Sequence, residues 1–243
     1  MPPSQSATAV GSINDFPNEI LTHILSFLPL KETFRTSVLS KRWVSLCYSF
    51  SDLYFEDDAI NNANDLTHFR QMLDAVMLSP RTQGQTLKSF YLECRSKLWE
   101  TEAYRFDKWV EAATKRCVKE LHIAGILLKA PLASTIFCCK TIVVLKLVDI
   151  YVPTMLHYSV HLPSLKTLWV YLVQIECKED FVKLLFGCPL LEDLSTMRVD
   201  ATTVVTEGGY FKPLTNLIKA DIHLFDVPFI AVSNTQILTV MGV

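Results

Sequence analysis

Four sets of side chains in this 243-residue chain have types and spacings that could do chemistry. His157 and His161 stand four apart, the spacing at which two imidazoles share a helix face and can hold a metal ion, but no Cys-x-x-Cys or His-Glu-x-x-His run accompanies them. Cys138 and Cys139 are adjacent and follow apolar Ile136-Phe137, so they read as buried thiols rather than a redox pair. Glu56-Asp57-Asp58, Glu179-Asp180 and Glu192-Asp193 could supply paired carboxylates, yet each falls at a predicted strand or helix end, where solvation accounts for it. The seven glycines form no Gly-x-Gly-x-x-Gly, Gly-x-x-x-x-Gly-Lys or Gly-x-Ser-x-Gly order, so neither a phosphate cradle nor a nucleophile elbow has support. The expectation is a chain with no active site, no metal and no cofactor.

Composition points the same way. Half of the residues are apolar, enough for a sizeable core, and a net charge of -2 with no Lys/Arg-rich run argues against a nucleic-acid partner. No stretch of eighteen residues lacks a charge, which argues against a membrane-spanning helix. Residues 1–12 hold Pro, Ser, Ala and Thr without a basic residue or an apolar run, and read as a flexible tail rather than a signal peptide. Seven irregularly spaced cysteines and no Asn-X-Ser/Thr site favour a reducing compartment, the nucleus or cytoplasm.

Without reaction chemistry, the informative stretch is 16–43. Asp15 can cap a helix, Pro17 suits its first turn, and Ile20, Leu21, Ile24, Leu25 and Leu28 recur at helical spacing until Pro29. A second helix is predicted over Lys31–Ser37, and a third begins at Ser40 as cap and carries Trp43 and Leu46. Three short helices enclose little core, and this segment holds more apolar residues than its own interior can take. Some of them must face another protein.

That segment resembles an F-box. The resemblance lies in Phe16-Pro17, then Glu19-Ile20-Leu21, then Thr36-Ser37-Val38-Leu39-Ser40-Lys41-Arg42-Trp43; it departs at Thr33-Phe34, where small residues are usual, and at Cys47, where Trp is common. The resemblance implies docking on a Skp-type adaptor, and through it on a cullin. Phe16, Pro17, Ile20, Leu21, Ile24, Val38, Leu39 and Trp43 are then the expected contact or its immediate support. Lys41 and Arg42, with Lys31 and Arg35 set against Glu32, would form a positive rim that an acidic partner face meets.

Beyond residue 49 a pattern of Leu-x-x-Leu-x-Leu type returns, with starts at 50, 87, 118, 142, 165, 191, 217 and 235. Its middle spacings lie in the leucine-rich-repeat range. Alternation points two residues of each strand inward, so stacked copies bury a continuous core. Helices predicted at Asp65–Leu78, Thr101–Arg116 and Lys178–Phe186 would cover the convex side. Strand–helix alternation alone also suits another parallel-sheet α/β fold. Leu162-Pro-Ser-Leu-Lys-Thr-Leu168 and Gly187-Cys-Pro-Leu-Leu-Glu-Asp-Leu194 resemble plant F-box proteins with leucine-rich repeats. The expected fold is α/β: a flexible tail over 1–12, a helical F-box over 13–49, and over 50–243 an irregular leucine-rich-repeat solenoid with a parallel sheet on its concave face. The last copy, Thr235-Leu238-Val240, ends without the polar cap that a solenoid normally has, so an incomplete solenoid is expected.

The resemblance implies a non-catalytic subunit of a ubiquitin ligase that presents a substrate protein. A receptor binding a small molecule in the concave face, or a truncated adaptor-binding chain without substrate, are the alternatives. The repeat register names the concave column: Tyr54, Tyr91, His122, Lys146, Trp169, Ser195, Asp221 and Thr239, with Tyr171 flanking Trp169. At roughly 4.8 Å per strand the part from Tyr54 to Trp169 would run about 19 Å, enough for a peptide segment. Tyr54, Tyr91, His122, Lys146, Trp169 and Tyr171 are the expected substrate contacts, and Asp52, Glu56, Glu93 and Glu120 call for basic residues near the first strands.

Overall fold

A computed structural model describes residues 12–101, 106–125, 134–152, 159–203 and 212–242. Two compact units divide between Phe50 and Ser51. Each is built by a different periodicity.

The first unit opens with a 3-10 turn, Ile13–Asp15, followed by α1 (Asn18–Ser26), α2 (Leu30–Arg35), a 3-10 turn at Thr36–Val38 and α3 (Lys41–Tyr48). Pro17 and Pro29 precede the first two helices, where a missing N–H costs nothing. Leu21, Leu25, Trp43 and Leu46 close into one buried cluster, against which half-buried Phe50 packs. Phe50 therefore belongs to this core and not to the first repeat, where the sequence pattern put it. Capping also differs from expectation. Asp15 does not cap α1: its carboxylate accepts the Ser12 N–H at 2.7 Å, a reciprocal cap of the preceding turn. Ser40 stands at the start of α3 without a side-chain cap bond. Thr33 is buried and donates its hydroxyl to the Leu25 carbonyl at 3.3 Å, and the Cys47 thiol reaches the Thr33 carbonyl at 3.1 Å. The two departures from the F-box pattern thus pack together with their polar atoms satisfied.

The second unit is a parallel α/β solenoid. Among the described residues its nine strands are β1 (Asp52–Glu56), β2 (Ser89–Glu93), β3 (Glu120–Ala124), β4 (Val144–Val148), β5 (Tyr151–Val152), β6 (Thr167–Cys177), β7 (Asp193–Thr203), β8 (Lys219–His223) and β9 (Ile237–Met241). They pair in the order β1-β2-β3-β4-β6-β7-β8-β9, all parallel, with β5 beside the second half of β6. The eight strands on the main path are the eight expected copies. Leu53, Phe55, Phe90, Leu92, Leu121, Ile123, Leu145, Leu147, Leu168 and Val170 point inward and are buried, each worth roughly 1.5–3 kcal/mol of transfer free energy. Thr196 fills the same inward slot on β7 and is fully buried.

Helices α4 (Ala63–Met77), α5 (Phe106–Lys115) and α6 (Lys178–Phe186) contribute Leu73, Val76, Trp109 and Phe181 to that core. The predicted 101–116 helix is shorter than expected: Lys97–Thr101 is a 3-10 turn, and 102–105 lie outside the described residues. On β9, Leu238 and Val240 keep the repeat spacing but are exposed.

One feature of the backbone carries no sequence signature. Gly125, Asp149, Leu172 and Arg198 all have left-handed φ, between 53° and 76°. Continuing the strand registers by one residue sets them side by side, just past the ends of β3 and β4 and within β6 and β7; the Gly125 N–H donates to Val148 O at 3.0 Å and the Asp149 N–H to Tyr171 O at 2.8 Å. Gly125 is required as glycine, since a Cβ there would sit 2.5 Å from Arg95 Cγ.

Candidate functional site

Two surfaces gather the residues singled out from the sequence. On the first unit, Phe16, Pro17, Ile20, Ile24, Val38 and Leu39 are all exposed, Phe16 at 49% and Val38 at 86%. Phe27 and Leu28 join them, an apolar surface that the sequence reading left out. Leu21 and Trp43, expected as contact or immediate support, sit in the core at 0% and 2% exposure. They support the surface from beneath and do not form it.

The positive rim is smaller than expected. Arg35 pairs with Glu32 at 2.6 Å, and Arg42 is half-buried with its guanidinium turned onto the lead-in to α1, Nε–H donating to Asn18 Oδ1 at 2.8 Å and Nη2–H to the Phe16 carbonyl at 2.6 Å. Nη1–H donates to the Asn14 carbonyl. Lys31 and Lys41 remain exposed. Fixed internal bonds had no signal in the sequence, where Arg42 looks like any surface cation.

On the second unit, strand register places Tyr54, Tyr91, His122, Lys146, Trp169, Ser195, Asp221 and Thr239 in one lateral column. Their inward neighbours are core, so the column lies on the opposite face of the sheet. Tyr54 is 54% exposed and stacks on Tyr91 with ring centroids 4.1 Å apart; Tyr91 meets His122 edge-on at 4.3 Å. The Lys146 ammonium lies 3.6 Å from the Trp169 ring centroid, and Trp169 stacks on Tyr171 at 6.0 Å. Tyr171 and Ser195 share a hydroxyl hydrogen bond of 2.6 Å. Tyr91, His122, Lys146, Trp169 and Tyr171 are half-buried by one another, a continuous shelf of rings and one cation.

Burial and then the neighbouring Lys146 charge push the His122 imidazole down to about 4, so it is neutral at pH 7 and adds no charge to the shelf. Burial, followed by the Glu93 carboxylate that accepts its proton, raises the Tyr91 phenol far above the usual range. Of the four carboxylates expected to face a basic ligand, Glu93 is buried, bonded to Tyr91 and paired with Arg95. Asp52 accepts from Ser89 and Ser51, each at 2.8 Å, and lies 3.7 Å from Lys88. Glu56 and Glu120 stay exposed and carry the negative charge of this end.

The side chains whose types could do chemistry are dispersed. His157 lies outside the described residues, and His161 is exposed. Cys139 is buried as expected, whereas Cys138 is exposed and donates to the Ser159 carbonyl at 3.0 Å. Asp57, read as part of a solvated acidic run, is buried and accepts the N–H groups of Arg95 and Ser96, each at 2.9 Å, and the Trp99 indole N–H at 2.7 Å. Asp180 is buried as well, taking the Cys177 thiol at 3.1 Å. Both are structural carboxylates. Among the described residues no group of three or more His, Cys, Asp or Glu is placed to hold a metal ion, and no helix is long and apolar enough to cross a membrane.

Comparison with known proteins follows the same division. The F-box domain family matches residues 13–54, and the family described as the LRR repeats of FBD-associated F-box protein At5g56370 matches residues 106–206. The chain is similar to F-box/LRR-repeat protein At3g59200 of Arabidopsis thaliana, at 37% identity over 77% of this chain and 36% of that protein. It is also similar to F-box/LRR-repeat protein At4g14103 (36% identity, 75% of this chain, 48% of that protein) and F-box/LRR-repeat protein At3g58980 (31% identity, 89% of this chain, 37% of that protein), both of Arabidopsis thaliana. The chain therefore spans between a third and a half of the length of these relatives.

Proposed function

The chain belongs to the plant F-box proteins with leucine-rich repeats, and from that premise we propose that it is a substrate-recognition subunit of a Skp-cullin-F-box ubiquitin ligase. Proteins of this family are in general non-catalytic adaptors, and an F-box in general implies binding to a Skp-type adaptor. The observation that carries the reading is the pairing of a filled core with an apolar exterior on one small unit: Leu21, Leu25, Trp43 and Leu46 are satisfied, while Phe16, Ile20, Ile24, Val38 and Leu39 are left in water. Exposed apolar surface of this kind marks a protein interface.

The ring shelf on the sheet is the proposed substrate surface. Rings stacked at low entropic cost suit it to anchor a peptide segment, and exposed Glu56 and Glu120 favour basic residues toward β1–β3. The subunit then acts by proximity: it holds a substrate lysine near the charged carrier enzyme, and the chemistry is done by its partners.

Affinity capture from plant tissue with the proteasome inhibited tests both halves. Adaptor, cullin and a further protein should be recovered, and Trp169→Ala should lose the further protein while keeping adaptor and cullin. Trp169 is half-buried on an outer face, so its removal should change the melting temperature little. Recovery of no adaptor would end the proposal. A large fall in melting temperature with Trp169→Ala would make that ring core rather than contact.

A further inference from the structure

The lead-in to α1 presents Phe16 and Pro17, and among the described residues no residue of its turn Ile13–Asp15 is buried. What ties it down comes from α3, about 25 residues later in the chain. Arg42 spreads its guanidinium over three acceptors: the Asn14 carbonyl, the Phe16 carbonyl at 2.6 Å and the Asn18 side chain at 2.8 Å. Next to it the indole N–H of Trp43 donates to Asn14 Oδ1 at 2.6 Å. Trp43 is locked in the core, so the donors on α3 are rigid with respect to α1. The fork geometry is specific to arginine: a lysine ammonium is a point charge that cannot meet three divergent acceptors in this arrangement.

We infer that Arg42 is a positioning residue for the adaptor face, acting through the Phe16–Pro17 backbone and not by contact with the adaptor. The inference rests on the adaptor-binding reading above. Preorganisation is what the latch supplies: the partner meets Phe16 and Pro17 already in place and does not have to order them. A rim cation would instead act on the partner's field, and its loss would be felt most at low salt.

The full chain is compared as wild type, Arg42→Lys, Phe16→Ala/Pro17→Ala and the triple variant, by hydrogen–deuterium exchange and by binding to a plant Skp-type adaptor at two salt concentrations. Arg42→Lys should speed exchange of the amides of residues 14–16 and 18 by about tenfold, leave α3 protected, and weaken adaptor binding by about tenfold at either salt. In the Phe16→Ala/Pro17→Ala background the same change should weaken binding by less than about twofold, because what the latch positions is gone. Should Arg42→Lys fail to fold, Asn18→Ala, which removes one of the three acceptors, is expected to show the same pattern at smaller size. Unchanged exchange at 14–16 and 18, additive losses in the cycle, or a salt-dependent loss would each overturn the positioning role while adaptor binding by the wild type stands. A wild-type chain that does not bind the adaptor overturns the proposed function, and this role with it.

Discussion

The ammonium of Lys146 lies over the face of Trp169 at 3.6 Å and at the same time holds down the imidazole of His122 on the neighbouring strand. Burial is the larger cause of the His122 shift and Lys146 the second. In the unfolded chain the imidazole titrates near 6.5, and in the fold near 4. Between these values the unfolded chain binds a proton that the fold refuses, so the His122 contribution to stability falls as pH drops from about 6.5 to about 4 and is constant outside that window. Lys146→Met should move the His122 titration up, though not as far as 6.5, since burial remains. An NMR pH titration reads this directly, and a His122 midpoint unmoved in the variant would show that the ammonium does not act on it.

Asp57 joins β1 to the turn after β2 by accepting three N–H groups within a buried site. Asp57→Ala leaves three donors without a partner and should lower stability by about 3 kcal/mol or more. Asp57→Asn keeps one acceptor oxygen and should lose less. Chemical denaturation of both variants checks the order; equal losses would mean that packing and not acceptance decides the site.

Thr196 sits in a leucine slot at 0% exposure, and its hydroxyl has no hydrogen-bond partner among the described residues. A methyl in place of that hydroxyl removes an unsatisfied buried group without changing the shape of the side chain. Thr196→Val should raise stability by about 1 kcal/mol or more, read as a higher denaturant midpoint at unchanged slope.

Phe16 and Pro17 are exposed, so truncating both opens no cavity. Phe16→Ala with Pro17→Ala should weaken adaptor binding by a few kcal/mol while the solenoid melts as before. Adaptor binding unaltered by this pair would move the interface away from the lead-in to α1.

Much of the fold is legible in the sequence because the repeats announce themselves: Leu121 and Ile123, or Leu145 and Leu147, alternate with half-exposed residues and leave one register for the sheet. The same alternation names the outward column from Tyr54 to Thr239. Long-range polar contacts are not legible. Nothing near Asp57 shows that its donors arrive 38 to 42 residues later, and Arg42 carries no sign that its acceptors lie 24 to 28 residues earlier. Phe50 fits the repeat spacing and packs on the helical core instead, a choice made by tertiary contact alone. The left-handed row is hidden for another reason: Asp149, Leu172 and Arg198 share a backbone angle but no chemistry.

That row has a consequence for how the solenoid tolerates change. The surrounding strands are filled with valine, isoleucine and leucine, and an extended strand welcomes a β-branched residue. At Asp149, Leu172 and Arg198 the preference is reversed, because a branched Cβ clashes with the carbonyl in the left-handed region whereas glycine and asparagine enter it with little strain. A saturation scan would therefore find, once in each of three successive repeats, a position where glycine survives and valine or isoleucine fails. Asp149 would read as a flexible loop by substitution profile, although its N–H donates to the Tyr171 carbonyl at 2.8 Å.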